Sequence, residues 1–484
     1  MTRHAAAGFL TPWAPHARLA SVPGGVLLKV ALGEAPASIP ARNDVRARAA
    51  LAAAGVDGGP IDRLVRHWGG EARITRLHTA AASHGKVGRR HLNYDDIEHA
   101  TGLARTFHLM LPPDAAVGAL VASLREIRTV EAAGLNYLST TPFAALVDPA
   151  ADPDEAWAPR ELIIAAEAMA YEPGDPAVVI GLVDSGVAPS HPELDGRLRA
   201  GFDCVHLAQN DLPSGMRFFG NVDITDTAPI DRFVGHGTCC AGIIGAAGER
   251  IPPGLAGACQ ILPVRVLGAA AMPGRPDPVG IGAIADIDVG MKWAVDMGAK
   301  VINCSFGTAD DALDPQVPKP HQDVVRYAAA RGCILVAASG NSGSEEKFWP
   351  AAFPEVIAVG AVSAFGVPSP FTTRGAHVAL SAPGERVVST ALEGYQYATG
   401  TSFACPFVAA AAGLLVSRSA RRSSPMDGPR TRALLTGSAS PFATAATGYG
   451  AGILDIAAAL RALERDIDRM PPGEGMGGEL GIAA

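Results

Sequence analysis

Five short, largely apolar runs punctuate the second half of the chain: Val178–Val183, Ile261–Leu267, Val301–Cys304, Ile334–Ala338 and Val356–Val362, interrupted by a polar side chain only at Arg265 and Asn303. Each is too short to be a core helix, and each lacks the polar–apolar alternation of a strand with one wet face. Between them lie stretches with helical spacing, at 237–247, 282–298, 321–331 and 402–418. Strands apolar on both faces and separated by helices predict an α/β fold with a doubly wound, mostly parallel sheet. Ligands of such sheets sit at the carboxyl ends of the strands, so the residues that follow each run carry the most information about function.

The first half reads differently. It predicts a strand at 26–32, helices at 44–55 and 60–68, and a strand at 107–111. A helix then opens at Pro112-Pro113-Asp114 and runs through Leu120, Leu124 and Ile127, before a short strand at 130–133. This is a small α+β unit. A Pro/Asp/Ala-rich linker spans about 140–157, and the tail from Pro471 is Gly-rich. The expected division is an accessory or inhibitory α+β domain over 1–150, a catalytic domain over 151–465 and a flexible tail over 466–484.

Composition narrows the function classes. The 484 residues carry a net charge of -8 with no long basic run, which argues against nucleic acid and anionic membranes as partners. The start, Met1-Thr2-Arg3-His4, leads into no uninterrupted apolar h-region, because Pro12, Pro15, His16 and Arg18 break the one candidate. The longest apolar run, Phe403–Val416, contains Pro406 and is too short to span a bilayer. The seven cysteines include no CxxC pair, and small apolar neighbours mark most of them as buried thiols. The expected location is cytoplasmic, or outside the cell by a route without a cleavable signal peptide.

Three islands carry chemistry. Val183-Asp184-Ser185-Gly186 ends the first run and places a carboxylate in a tight turn, where it can orient an imidazole; it also reads as a cap. Gly235-His236-Gly237-Thr238 opens a helix of small residues, and its His reads as catalytic, structural or metal-binding. Gly400-Thr401-Ser402-Phe403 opens an apolar helix, where Ser402 lies beside backbone N–H groups able to stabilise an oxyanion. Taken alone, Ser402 also reads as an N-cap. A fourth segment, Ala337-Ala338-Ser339-Gly340-Asn341, ends the run 334–338 with an amide that can donate to an oxyanion or simply form a turn.

Together the islands stand in the order Asp, His, Asn, Ser, one of the known triad orders. From about 157 to 464 the chain resembles the subtilisin-like serine proteases, the subtilase family. Flanking matches include His191-Pro192-Glu193-Leu194, Val264–Gly268, Asn303-Cys304-Ser305-Phe306-Gly307, Trp349–Gly360 and Gly448-Tyr449-Gly450-Ala451-Gly452. The resemblance implies a serine endopeptidase acting on polypeptides. Ser402 would be its nucleophile, His236 its general base and acid, and Asp184 the residue that orients His236. Asn341 and the Ser402 N–H would form the oxyanion hole. Ser305, Phe306 and Gly307 would pair with substrate, and Ala338 and Gly340 would line the specificity pocket.

The resemblance implies no required cofactor and no catalytic metal. Glu193 stands where relatives often have a calcium-ligating Asp, yet the loop Gly248–Gly254 lacks the Asn-rich character of the family's strong calcium loop, so structural calcium is at most a secondary expectation. Cys240 matches the thiol beneath the catalytic His of proteinase K-like members and implies mercurial sensitivity. Phe403, Cys405 and Phe407 replace the usual Met, Thr and His after the Ser. Residues 107–138 resemble the second half of a subtilase propeptide, which implies an intramolecular inhibitor cut from the enzyme between about Leu138 and Trp157. Two rival readings are a narrow-specificity intracellular processing protease that keeps this domain, and an inactive binding protein on the same fold. A lipase or esterase would need a Gly-x-Ser-x-Gly elbow, which is absent.

Overall fold

The structure is a computed structural model. It describes residues 20–84, 93–141, 144–146, 153–213, 215–223, 226–273, 277–313 and 318–469. Of the flexible tail expected over 466–484, residues 466–469 instead close the helix Ile456–Arg469, and the remainder lies outside the described residues.

All five apolar runs form strands of one seven-stranded parallel sheet. Its order is Val378–Pro383, Val356–Val362, Ile334–Ala338, Val301–Cys304, Val179–Asp184, Gln260–Arg265 and Phe202–Asp203. Every residue of Val179–Asp184 is buried, as a central strand covered on both faces requires. The helices His236–Gly245 and Thr401–Arg421 pack on one face, where Ile243, Ile244, Phe407 and Leu414 meet Ile180, Val336 and Val359. Ile284–Asp296 and Gln322–Ala330 cover the other through Ile287, Met291, Val324 and Tyr327. Thr401–Arg421 is long and apolar enough to cross a membrane, but it is almost wholly buried in this core.

Chain order reverses at Val179–Asp184. The next sheet strands lie to one side of it, and Val301–Cys304 and its successors lie to the other. A crevice forms at such a switch point, outside the carboxyl ends of the two flanking strands. Asp184 and Ser305 stand at those ends.

The N-terminal residues form an antiparallel sheet in the order Arg73–Arg76, Thr106–Met110, Ser21–Val30 and Val130–Thr140. Helices Pro60–Gly69 and Val117–Arg125 cover one face around Leu28, Phe107, Leu120 and Leu124. The other face meets Ile284–Asp296 and Gln322–Ala330. Charged pairs cross this contact: Lys29 Nζ to Asp323 Oδ1 at 2.9 Å, Arg42 Nη2 to Asp286 Oδ1 at 2.7 Å, and Lys292 Nζ to Glu98 Oε1 at 2.7 Å.

Three expectations are corrected. The helix expected over 44–55 is only the short Arg42–Arg46. The helix expected from 282 starts at Ile284, because Val279–Ala283 is a strand. The strand expected to stop at Ala133 continues through Gly134 to Thr140 and pairs with Val279–Ala283, joining the N-terminal sheet to the second domain.

Candidate active site

Each island folds where a strand or loop hands over to a helix. Asp184 is the last residue of its strand. Its backbone carbonyl accepts from Val266 N at 2.9 Å, which fixes the turn, and Ser185 N donates to Asp184 Oδ1 at 2.7 Å. His236 is the first residue of its helix, preceded by Gly235 at φ 75°, a left-handed conformation that favours glycine. Gly237 is fixed by packing, because a Cβ there would lie 2.1 Å from the Gly186 carbonyl. These constraints bring His236 Nδ1 within 2.8 Å of Asp184 Oδ1, with both side chains wholly buried.

A second carboxylate braces the pair. Asp231 accepts from Phe233 N, Val234 N and Gly235 N and from Ser185 Oγ, which in turn accepts from Gly237 N at 3.0 Å. The sequence held no motif that singled out Asp231.

Ser402 lies in the first turn of Thr401–Arg421, where backbone amides lack an intrahelical acceptor. Its Oγ donates to Ser305 O at 3.1 Å, and Ser305 Oγ donates to Ser402 O at 2.8 Å. The nucleophile candidate and the strand-end residue are therefore locked together across the switch point. Asn341 follows the strand Ile334–Ala338. Its Oδ1 accepts from Thr401 N at 2.9 Å and Thr401 Oγ1 at 2.8 Å. With the oxygen so engaged, the amide presents Nδ2 toward Gly400, where a Cβ would lie 3.3 Å from it.

The expected substrate-binding residues divide. Gly307 pairs antiparallel with Thr140, so here its partner is the chain's own N-terminal strand. Phe306 can offer only its backbone, because its ring is buried in the core at 5.7 Å from the His321 ring. The Ala338 methyl also lies in the core. Gly340 sits at φ 108° against Thr373, where a Cβ would lie 2.8 Å from Thr373 Oγ1.

Asp184, His236 and Cys240 bring one donor atom each within 4.8 Å of one another, so the helix spacing does bring a thiol toward the pair. A metal would need a thiolate and a free imidazole nitrogen. Burial instead holds the Cys240 thiol well above its usual pKa, and His236 Nδ1 is engaged by Asp184. The Cys240 Sγ contacts Ser402 O at 3.5 Å. All seven cysteines are free and buried.

Glu193 explains how the loop after the His236 helix is held. Its carboxylate accepts from Gly248 N, Glu249 N, Arg250 N and Ile251 N, and from Tyr395 Oη. Burial would raise the pKa of Glu193, but these backbone donors outweigh it and hold the carboxyl below its usual range. Where a carboxylate would otherwise share a cation with a loop, here it takes the loop's amides directly. Glu193→Gln puts an N–H₂ against amide donors and is expected to destabilise the fold by about 2–3 kcal/mol. Thermal melts check this. The substitution should lower the midpoint by more than a chelator lowers that of the wild type. Because the folded pKa is depressed, the stabilisation is present above the ordinary carboxylate range and lost as pH falls through the folded value.

The sequence model of the Subtilase family matches residues 175–452. A thermophilic serine proteinase of Bacillus sp. (strain AK1) is 37% identical over 243 residues, covering 49% of this chain and 52% of that protein. The chain thus spans about half the length of that relative. Thermitase of Thermoactinomyces vulgaris is 35% identical over 245 residues, or 49% of this chain and 75% of thermitase. Subtilisin of Bacillus pumilus is 31% identical over 290 residues, or 58% of this chain and 90% of subtilisin. A solved protease structure from Pseudoalteromonas arctica PAMC 21717 shares the fold, with a TM-score of 0.54 and 24% identity, covering 65% of this chain and all of that one.

Proposed function

This chain belongs to the subtilase family, and we propose that it is a serine endopeptidase acting on polypeptides, with Asp184, His236 and Ser402 as its triad and the N-terminal domain as its intramolecular inhibitor and first substrate. The observation that carries the triad is the buried 2.8 Å contact of His236 Nδ1 with Asp184 Oδ1, on the crevice that also holds Ser402. Asp184 fixes the His236 tautomer and stabilises the imidazolium. Ser402 Oγ attacks the peptide carbonyl carbon and its proton passes to His236. The oxyanion takes hydrogen bonds from Asn341 Nδ2 and the Ser402 N–H. The C–N bond breaks, the amine leaves with the His236 proton, and water then hydrolyses the ester.

The path of the linker supports self-processing. Thr140 pairs with Gly307 on one side and Ile281 on the other, and Thr141 N donates to Gly280 O at 3.0 Å. Ala144–Leu146 then pairs with Tyr397–Thr399, which leads directly into Gly400, Thr401 and Ser402. An added strand of this kind is how an extended peptide gains affinity from main-chain hydrogen bonds. The cut is proposed between Thr141 and Ala144; Pro142 and Phe143 lie outside the described residues. The buried ion pairs of Asp286 and Lys292, with the half-buried Lys29–Asp323 pair, supply a contact that outlasts the cut.

A fluorophosphonate tests the nucleophile. Wild type should gain one adduct on the peptide containing Ser402, and His236→Ala should react at least about 10³-fold more slowly. Labelling of another serine, or equal labelling of both proteins, would overturn the assignment.

A further inference from the structure

The strand in the cleft is held by its side chains as well as by its backbone. Ser139, Thr140 and Thr141 are all buried. Ser139 Oγ donates to Gly307 O at 2.9 Å and lies 3.2 Å from Thr308 Oγ1. Since the Ser139 proton is used on Gly307, Thr308 is the donor in the second contact. Thr141 Oγ1 accepts from Gly280 N at 3.0 Å. Glycine at 280 permits this approach, because a Cβ there would lie 3.0 Å from Thr141 Oγ1 and 3.2 Å from both Thr141 Cγ2 and Leu267 Cβ. Gly282 keeps the wall close, since a Cβ there would lie 2.3 Å from Val266 O. Each wall of the cleft thus offers a buried donor that is satisfied by a hydroxyl two residues away from the other.

We propose that this cleft selects polypeptide segments with hydroxylated side chains two residues apart, the Ser-x-Thr pattern of residues 139–141, with Thr308 reading the first hydroxyl and the Gly280 amide the second. The inference rests on the reading of Ser402 as the nucleophile beside this segment. A substrate lacking either hydroxyl leaves a buried donor without an acceptor. A site built to hydrogen-bond a substrate hydroxyl discriminates far more strongly against its absence than an apolar pocket discriminates by size. The substrate class is therefore extended segments resembling Leu138-Ser139-Thr140-Thr141, cut on their carboxyl side.

The test is an internal competition on the purified full-length protein. It receives an equimolar mixture of the peptide matching residues 138–146 and two analogues, with Ala at the Ser139 position or Val at the Thr141 position. Product ratios are read by mass spectrometry, so the fraction of molecules whose cleft is occupied by its own strand cancels. Each analogue is expected to be cut about tenfold more slowly than the parent. In Thr308→Val the Ser-over-Ala ratio should fall but stay above one, because the Ser139-position hydroxyl keeps its bond to the Gly307 carbonyl, while the Thr-over-Val ratio persists. Equal cleavage of the three peptides by wild type overturns the proposal. So does failure to cut any of them while unfolded casein is digested, an outcome that leaves the endopeptidase reading standing. Failure on casein as well, by protein whose cleaved N-terminal chain has been stripped off at high salt, would overturn both.

Discussion

Ser402→Ala is expected to lower kcat on a polypeptide substrate by about 10⁴–10⁶-fold while leaving KM within a few-fold of wild type. In the proposed mechanism the hydroxyl supplies the covalent step, and its neighbours offer no substitute: burial pushes the Cys240 thiol well above its usual pKa, and Ser305 Oγ is committed to Ser402 O. The residual rate belongs to the oxyanion donors and to substrate positioning, neither of which the substitution removes. Adding His236→Ala should cost little more, because triad members act as a unit and their losses do not add. Steady-state kinetics on a quenched peptide check both statements. A loss below about tenfold in the single variant would place the nucleophile elsewhere.

Asn341→Ala is expected to lower kcat by about 10²–10³-fold with little change in KM. Thr401 holds the Asn341 oxygen through two bonds, so the amide nitrogen is pre-oriented before any charge develops. In the proposed oxyanion hole its value is realised when the carbonyl becomes an oxyanion, and for that reason the loss is expected to fall on kcat. Asn341→Asp keeps both acceptor contacts to Thr401 but removes the donor, and should be at least as impaired. A rise in KM with kcat unchanged would instead make Asn341 a ground-state binding residue.

The site and its fold differ in how much of each was legible in the sequence. The strand ends that carry Asp184, Ser305 and Asn341 follow from local apolar runs, because a strand buried on both faces leaves its mark in consecutive residues. The small residues around His236 and the Gly before Thr401 and Ser402 mark helix starts for the same local reason. What local pattern does not hold is pairing across distance. Gly134 interrupts the local strand pattern of residues 134–140, and the partners that make them a strand, Val279–Ala283 and Gly307, lie far along the chain. Gly282 falls at the start of the helical spacing 282–298, and Gly280 lies just before it. Their alternation with Val279 and Ile281 was the available signal of an extended wall. Phe306 shows the converse limit, since a motif can name a segment without saying which atoms face the cleft. Its ring belongs to the core and only its backbone is available to a substrate.

One crevice is proposed to hold both the chemistry and the strand it first acts on. Intact-mass measurement of purified wild type beside Ser402→Ala tests this most directly. Wild type should separate into two chains divided between Thr141 and Ala144, the two chains should co-purify through their ion pairs, and Ser402→Ala should stay whole. A wild type that stays whole while digesting peptides, or a Ser402→Ala variant cut at the same place, would contradict it.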